Sequence, residues 1–276
     1  MRYRATASLA RWKQRRPSAR ITLGLAACLT LLFASTLEAQ TNRAALPFSP
    51  GEELVYRVRL GGPGSIGRAV MGVDGPEVVR GREVYVLRFD FRGRVGPVVV
   101  VDRTRSWVDP AEMAALRFSK YERSPVSTNR QDVELFPGQR EWKAASGEGG
   151  RLATGAPLDE LSFLYHIREL RLADGDVYSC FRHFDEARNP VTVRVLQRGR
   201  IRVPAGEFAT VLVEMRVKDP RRYGSEGVIR LHLTDDARRI PVRIESTIPV
   251  AGSTTLNLES ASGPGVALRQ PDALSA

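Results

Sequence analysis

Apolar and polar residues exchange places at every second position along most of this chain. Leu54, Tyr56, Val58 and Leu60 fall on one side of a segment whose other side is Glu53, Val55, Arg57 and Arg59. Side chains alternate across a strand, so a period of two predicts a β-strand with one buried face. The glycine-rich turn Gly61-Gly62-Pro63-Gly64 ends it, and Ser65 to Val73 reads as the returning strand. The pattern recurs over residues 82–92, where Tyr85, Leu87, Phe89 and Phe91 share a side, then from Val98 towards Trp107, and over residues 116–121. A weaker pair spans residues 131–143 around Pro137-Gly138. Further strands are predicted at 177–184, 191–197, 200–203, 207–218, 227–233, 240–247 and 253–259.

Two stretches depart from this rule. Ala145 to Pro157 is rich in Gly, Ala and Ser, which predicts a loop and the best internal boundary. Leu158 to Leu170 contains no Gly or Pro, and Leu161, Leu164, Tyr165 and Arg168 recur at helical spacing. Pro157 precedes this predicted helix and Asp159 sits in its first turn, where the helix dipole favours an acid. About twelve short strands with one short helix predict an all-β fold with antiparallel pairing. So many strands rarely lie flat, so the expected form is a strongly curved sheet or an open barrel-like roll.

The N-terminus changes the reading of the charge. Residues 1–39 carry seven basic residues and one acid, Glu38, around the apolar run Ile21–Leu37. A basic region, an apolar stretch and a small residue before the cut predict a signal peptide ending near Ala39. Leu25-Ala26-Ala27-Cys28 also fits a lipoprotein signal with lipidation at Cys28, and a retained anchor is the third alternative. Residues 40–46 then form a flexible leader, 47–260 a single β-rich domain and 261–276 a disordered tail. Without the leader the net charge of +11 falls to +5, from 35 basic and 30 acidic residues. With no basic stripe carrying interleaved aromatics, nucleic acid is excluded as a partner. Cys180 is then the one remaining thiol, which excludes an internal disulfide and is expected to be a buried structural cysteine.

Four constellations invite chemistry. Gly62-Pro63-Gly64-Ser65-Ile66-Gly67 matches a dinucleotide fingerprint in letters, but a strand pattern follows where a helix must hold the pyrophosphate. Asp159, Ser162 and His166 line one helix face, yet Asp159 lies beyond Ser162 and cannot orient the imidazole as a triad requires. His166, His183 and His232 sit on separate elements with no metal-ligand spacing. Thr234-Asp235-Asp236-Ala237-Arg238-Arg239 separates two strands; it suits an Asx turn with local ion pairs, or a polar pocket mouth offering arginines to an anion.

Several of these segments together are similar to one family. They are Pro47-Phe48-x-Pro50-Gly51-Glu52-x-Leu54-x-Tyr56, Asp159-x-Leu161-Ser162-x-x-Tyr165-x-x-Arg168, Val203-Pro204-Ala205-Gly206-Glu207-Phe208 and Leu233-Thr234-Asp235-Asp236-x-Arg238-Arg239-Ile240-Pro241-Val242. The chain resembles the bacterial exported family called domain of unknown function 3108 from roughly Pro47 to Leu258, with His232 where a tryptophan is usual. The resemblance implies an envelope location, in the periplasm or at the outer membrane, a β-rich fold, and no established activity or cofactor. Its recurring positions are Asp159, Ser162, Tyr165, Arg168, Asp235, Asp236 and Arg239, candidates for ligand binding or for structure. Arg168 is expected to pair with one of the two loop acids and lock helix to hairpin. The leading expectation is a non-catalytic binding module for a lipid, glycan or peptide segment, its partner an unknown envelope ligand or protein. A structural or assembly protein is the second, and a hydrolase using Asp235 and Asp236 the third. Neighbouring acids on a strand face opposite ways, which weakens that last reading. Membrane association would come through lipidation at Cys28 or the anchor.

Overall fold

The structure is a computed structural model that describes residues 46–62, 64–125, 127–219, 225–248 and 252–266. The signal peptide and nearly all of the leader expected at 40–46 lie outside the described residues. Fourteen strands form one sheet: β1 Glu53–Leu60, β2 Ser65–Val79, β3 Arg82–Val95, β4 Val98–Asp109, β5 Ala114–Arg123, β6 Thr128–Phe136, β7 Glu141–Ala144, β8 Gly149–Arg151, β9 Val177–Cys180, β10 Val191–Val203, β11 Gly206–Asp219, β12 Ser225–Thr234, β13 Pro241–Ile248 and β14 Gly252–Ser262. The spatial order is β8-β7-β6-β5-β4-β3-β2-β1-β14-β13-β12-β11-β10-β9, antiparallel at each pairing. The pairing of β1 with β14 joins the two halves of the chain, and β8 and β9 remain as the free edges of an unclosed sheet.

The alternation read from the sequence is what rolls this sheet around its core. Leu54, Tyr56 and Val58 of β1, Met71 and Val73 of β2, and Leu87 of β3 are buried. They share one core cluster with Val193 of β10, Val213 and Met215 of β11, Leu231 of β12 and Ile244 of β13. Seven strand pairings separate β3 from β10, so only a strong curl brings their side chains into one core. The helix α1, Glu160–His166, the one α-helix among the described residues, fills that curl with Leu161, Phe163 and Tyr165, and a 3-10 turn at Ile167–Glu169 continues it. A smaller cluster of Phe118, Val133, Leu135, Trp142, Leu152 and Phe184 fills the end of the sheet near β5 to β7.

Gly67 and Gly93 face each other on β2 and β3 at a place where only a missing side chain is tolerated. A Cβ on Gly67 would lie 2.3 Å from the Arg92 carbonyl oxygen, and one on Gly93 would lie 2.4 Å from that of Ile66.

Five boundaries differ from the sequence reading. The 145–157 stretch is a hairpin continuation rather than a boundary, because Gly149–Arg151 pairs with β7 as β8. The strands expected at 191–197 and 200–203 are one strand, kinked by a bulge between Val195 and Gln197 that absorbs the break in alternation. Strand β9 stops at Cys180, and the next residues turn inward so that His183 bridges to Leu158. The helix is seven residues rather than thirteen: Leu158 joins that bridge, and Leu170 is already extended. At the C-terminus Ala261 and Ser262 belong to β14 and Val266 packs against the core, while residues 267–276 lie outside the described residues.

Candidate functional site

The seven family positions separate into three local structures. At the first, Asp159 caps α1. Its Oδ1 accepts from the backbone N–H of Leu161 and of Ser162, both at 2.9 Å, and the Ser162 hydroxyl accepts from the Asp159 N–H at 2.8 Å. This reciprocal capping box is what the Asp-x-x-Ser spacing encodes. Ser106 of β4 donates to the other oxygen of Asp159 at 2.5 Å and ties the cap to the sheet. Burial raises the Asp159 carboxyl to about 6, against the pull of its hydrogen bonds from Ser106 and the helix amides. Asp159 and Ser162 are fully buried, and the Ser162 hydroxyl is committed to Asp159 rather than to His166. Asp159, Ser162 and His166 therefore do not form a triad.

The second local structure centres on Arg168, which does not pair with Asp235 or Asp236. Its guanidinium donates to both carboxylate oxygens of Glu52, at 2.7 and 2.9 Å, and the two side chains are 1% and 0% exposed. It also donates to the carbonyl oxygens of Pro47 at 2.9 Å and Arg238 at 3.1 Å, and Arg238 reaches Glu52 at 3.3 Å. Helix and hairpin are thus locked as expected, but through the Arg238 backbone and an acid from the opening segment. Tyr165 donates to the Gly72 carbonyl at 3.1 Å, and its ring and that of Phe48 each lie 5.4 Å from the Arg168 guanidinium carbon. The correction has a physical reason. Asp235 and Asp236 are exposed, whereas Glu52 is carried inward at the mouth of β1, where a buried arginine requires a buried anion.

At the third, the β12–β13 turn uses its own acids. Asp236 accepts from the Thr234 hydroxyl at 2.8 Å and from the N–H groups of Arg238 and Arg239 at 2.9 and 3.0 Å, an Asx turn that holds Arg239 at a φ of 47°. Asp235 points elsewhere, to Arg198 at 3.0 Å, and Arg239 donates to the Leu170 carbonyl. The two acids therefore do not converge, which removes the carboxylate pair a polymer hydrolase would need.

A fourth polar group was not singled out in the sequence. By register Asp102, Thr104, Lys120 and Glu122 of β4 and β5 share the inner face with Phe91 and Phe118. Lys120 donates to Glu160 of α1 at 2.7 Å, and Arg188 donates to the other oxygen of Glu160 at 3.2 Å. Burial would raise Glu160, but Lys120 and Arg188 outweigh it and hold the carboxyl at about 2. Burial likewise opposes the charge on Lys120, yet Glu160, Asp102 and Glu122 hold its ammonium well above the ordinary range. Nothing marked these residues in the sequence except an interruption of the apolar alternation in β4 and β5.

Beyond the buried core, the inner face continues as a partly covered apolar band. Phe89 and Phe91 of β3, Val217 of β11, Ile229 of β12, Leu164 of α1 and Tyr178 and Cys180 of β9 are only partly covered. Burial pushes the Cys180 thiol up, so it is held in its unreactive form. Among the described residues no three His, Cys, Asp or Glu side chains gather as a metal site, and no helix is long and apolar enough to cross a membrane.

An antiparallel sheet rolled but left open, its core plugged by a capped helix, is an open barrel-like β-protein. Within that class the chain belongs to the family described as Protein of unknown function (DUF3108), whose model matches residues 55–259. A solved structure with this fold is the β-barrel-like protein of domain of unknown function DUF1849 from Brucella abortus, 14% identical, with a TM-score of 0.52 over 78% of this chain and 98% of that one. Two others score lower, both 11% identical with a TM-score of 0.33. One, from Bacteroides fragilis, is described as an inferred exported protein with a YmcC-like fold and covers 79% of this chain and 98% of its own. The other, described as an inferred lipoprotein of Parabacteroides distasonis, covers 80% and 100%. No curated protein matches.

Proposed function

We propose that this protein is a non-catalytic binding module of the bacterial envelope whose inner face takes the apolar part of a lipid. The observation that carries this reading is the apolar band that runs past the packed core. Phe89, Phe91, Val217 and Ile229 lie on the core-facing side of their strands yet remain partly open to solvent. A face that stays apolar where the protein's own cover is incomplete is suited to an apolar ligand. The polar group at Lys120 and Glu160, on the same inner face of β4 and β5, would limit how far the ligand is apolar. In this reading Asp159, Ser162, Tyr165, Arg168, Asp235, Asp236 and Arg239 hold the shape of the module and do not touch its ligand. The exported location rests on the leader sequence, with cleavage near Ala39, lipidation at Cys28 or a retained anchor as its three alternatives.

The test is native mass spectrometry and lipid extraction of protein purified from its own envelope, beside the variant Ile229→Glu. The reading expects a co-purifying lipid that the variant loses while melting as a folded protein. Wild-type protein that carries no lipid and takes up no apolar fluorescent probe would end it.

A second reading has its own observation. Strand β9 is a free edge, and Val177 and Phe181 beside it are 60% and 58% exposed. A free edge with apolar neighbours accepts an added strand from a peptide or partner protein. Crosslinking from position 177 in cells separates the two readings.

A further inference from the structure

On the outer face of the sheet the register stacks arginines across neighbouring strands. Arg92 of β3 lies opposite Arg68 of β2, which lies opposite Arg57 of β1. The row continues through Asn257 of β14 to Arg243 of β13, five strands in all, about 19 Å at ordinary strand spacing. Like charges directly opposite one another destabilise a sheet. One acid eases this row: Glu259 accepts from Arg57 at 2.5 Å and from Arg68 at 2.9 Å. Its carboxylate is thereby used twice, and among the described residues Arg92 and Arg94 hold no acid of their own.

These side chains surround an open depression of about 570 Å³. It is lined by Arg57, Arg68, Arg92, Arg94 and Glu259, with Ser65 and the bare backbone of Gly67 and Gly93 also in its lining. Four guanidinium groups face one carboxylate, a local excess of three positive charges. Guanidinium groups offer planar, paired N–H donors that match the oxygens of a phosphate and stay charged at any physiological pH.

We infer that this arginine-lined depression on β1, β2 and β3 is a phosphate-binding site. It is independent of the inner-face reading, because these side chains point away from the core. The phosphate would come either from the headgroup of an anionic phospholipid or from a soluble phosphorylated molecule. A headgroup would seat the outer face of β1 to β3 against a membrane.

The experiment has two arms on the mature protein. In the first, sedimentation with phosphatidylglycerol vesicles is compared with phosphatidylcholine vesicles and with phosphatidylcholine vesicles charged with oleate. In the second, the melting temperature is followed with inorganic phosphate and pyrophosphate. Variants are the exposed pair Arg92→Ala with Arg94→Ala and, separately, Arg68→Ala, whose side chain is 74% exposed. Each arginine lost should weaken binding about fivefold, so the pair loses about 25-fold and the single variant about fivefold. Added salt should weaken binding in parallel. Binding to phosphatidylglycerol vesicles that follows this order assigns the headgroup source, and a rise in melting temperature with the phosphates alone assigns the soluble one. No response in either arm, equal binding by the paired variant, or equal binding to oleate-charged vesicles overturns the proposal.

Discussion

Replacing Arg168 by methionine tests whether the buried pair at the mouth of β1 holds the roll together. The substitution keeps an unbranched side chain of similar reach and removes the charge. Lost with it are two bonds to Glu52, at 2.7 and 2.9 Å, and those to the carbonyls of Pro47 and Arg238. Glu52 is left buried with Arg238 as its remaining cation, at 3.3 Å. Removing one member of a buried pair typically costs about 3–5 kcal/mol, since the survivor keeps its desolvation cost without its partner. Against a domain stability of about 5–15 kcal/mol that is a large fraction, and it should lower the melting temperature by about 10 °C. Urea unfolding followed by tryptophan fluorescence measures it directly. The double variant Glu52→Leu with Arg168→Met deletes both charges, leaves Arg238 free to turn to solvent, and should recover more than half of the loss. A single-variant cost under about 1 kcal/mol, or a double variant that costs the sum of its two singles, would refute the reasoning.

Three further outcomes follow from the same geometry. Burial raises Asp159 to about 6 from an ordinary 3.8, so its folded form binds the proton more readily, and its contribution to stability falls by about 3 kcal/mol as pH rises from about 4 to 6. Burial, with Arg188, lowers His183 to about 4 from 6.5, so its contribution rises by a similar amount as pH rises from about 4 to 6.5, and the two offset. Asp159→Asn keeps a capping side chain and removes the falling contribution, so between pH 4 and 6 its stability should rise by about 3 kcal/mol relative to the wild type; parallel urea curves across that range would refute it. Gly67→Ala puts a Cβ 2.3 Å from a backbone carbonyl and should cost about 1–3 kcal/mol, whereas Gly61→Ser, which meets no atom within 4 Å, should keep nearly all its stability apart from the strain of its φ of 61°; equal melting of the two would contradict the crease at β2 and β3. Tyr165→Phe loses its bond to the Gly72 carbonyl and should cost about 1 kcal/mol in the same urea assay, and an unchanged midpoint would show that bond to be idle.

Period-two alternation was enough to place most strands, because burying one face of a sheet imposes that period whatever the strands pair with. Leu54, Tyr56 and Val58 read as an inner face from the letters alone and are buried in the core. The Asp159-Ser162 cap was equally local: its partners lie three residues apart, a spacing the helix geometry itself sets. Where alternation failed, the cause was contact with something distant. The bulge in β10 reads as two strands until β11 is beside it, and β8 reads as loop because three glycine-rich residues gain their order only from β7.

The amino-acid sequence by itself determined the strand content, the capped helix at Asp159, the Asx turn at Asp236 and the family. These depend on neighbours a few residues away, whose geometry any extended or helical segment reproduces. Tertiary structure alone decided that Glu52, and not a loop acid, balances Arg168 across a separation of 116 residues. It also decided that Arg57, Arg68 and Arg92 stand in one row. Both outcomes require knowing which strands lie side by side and which carboxylate is carried out of water. Those facts are set by the pairing of β1 with β14 and by the curl of the sheet, not by any local run of residues.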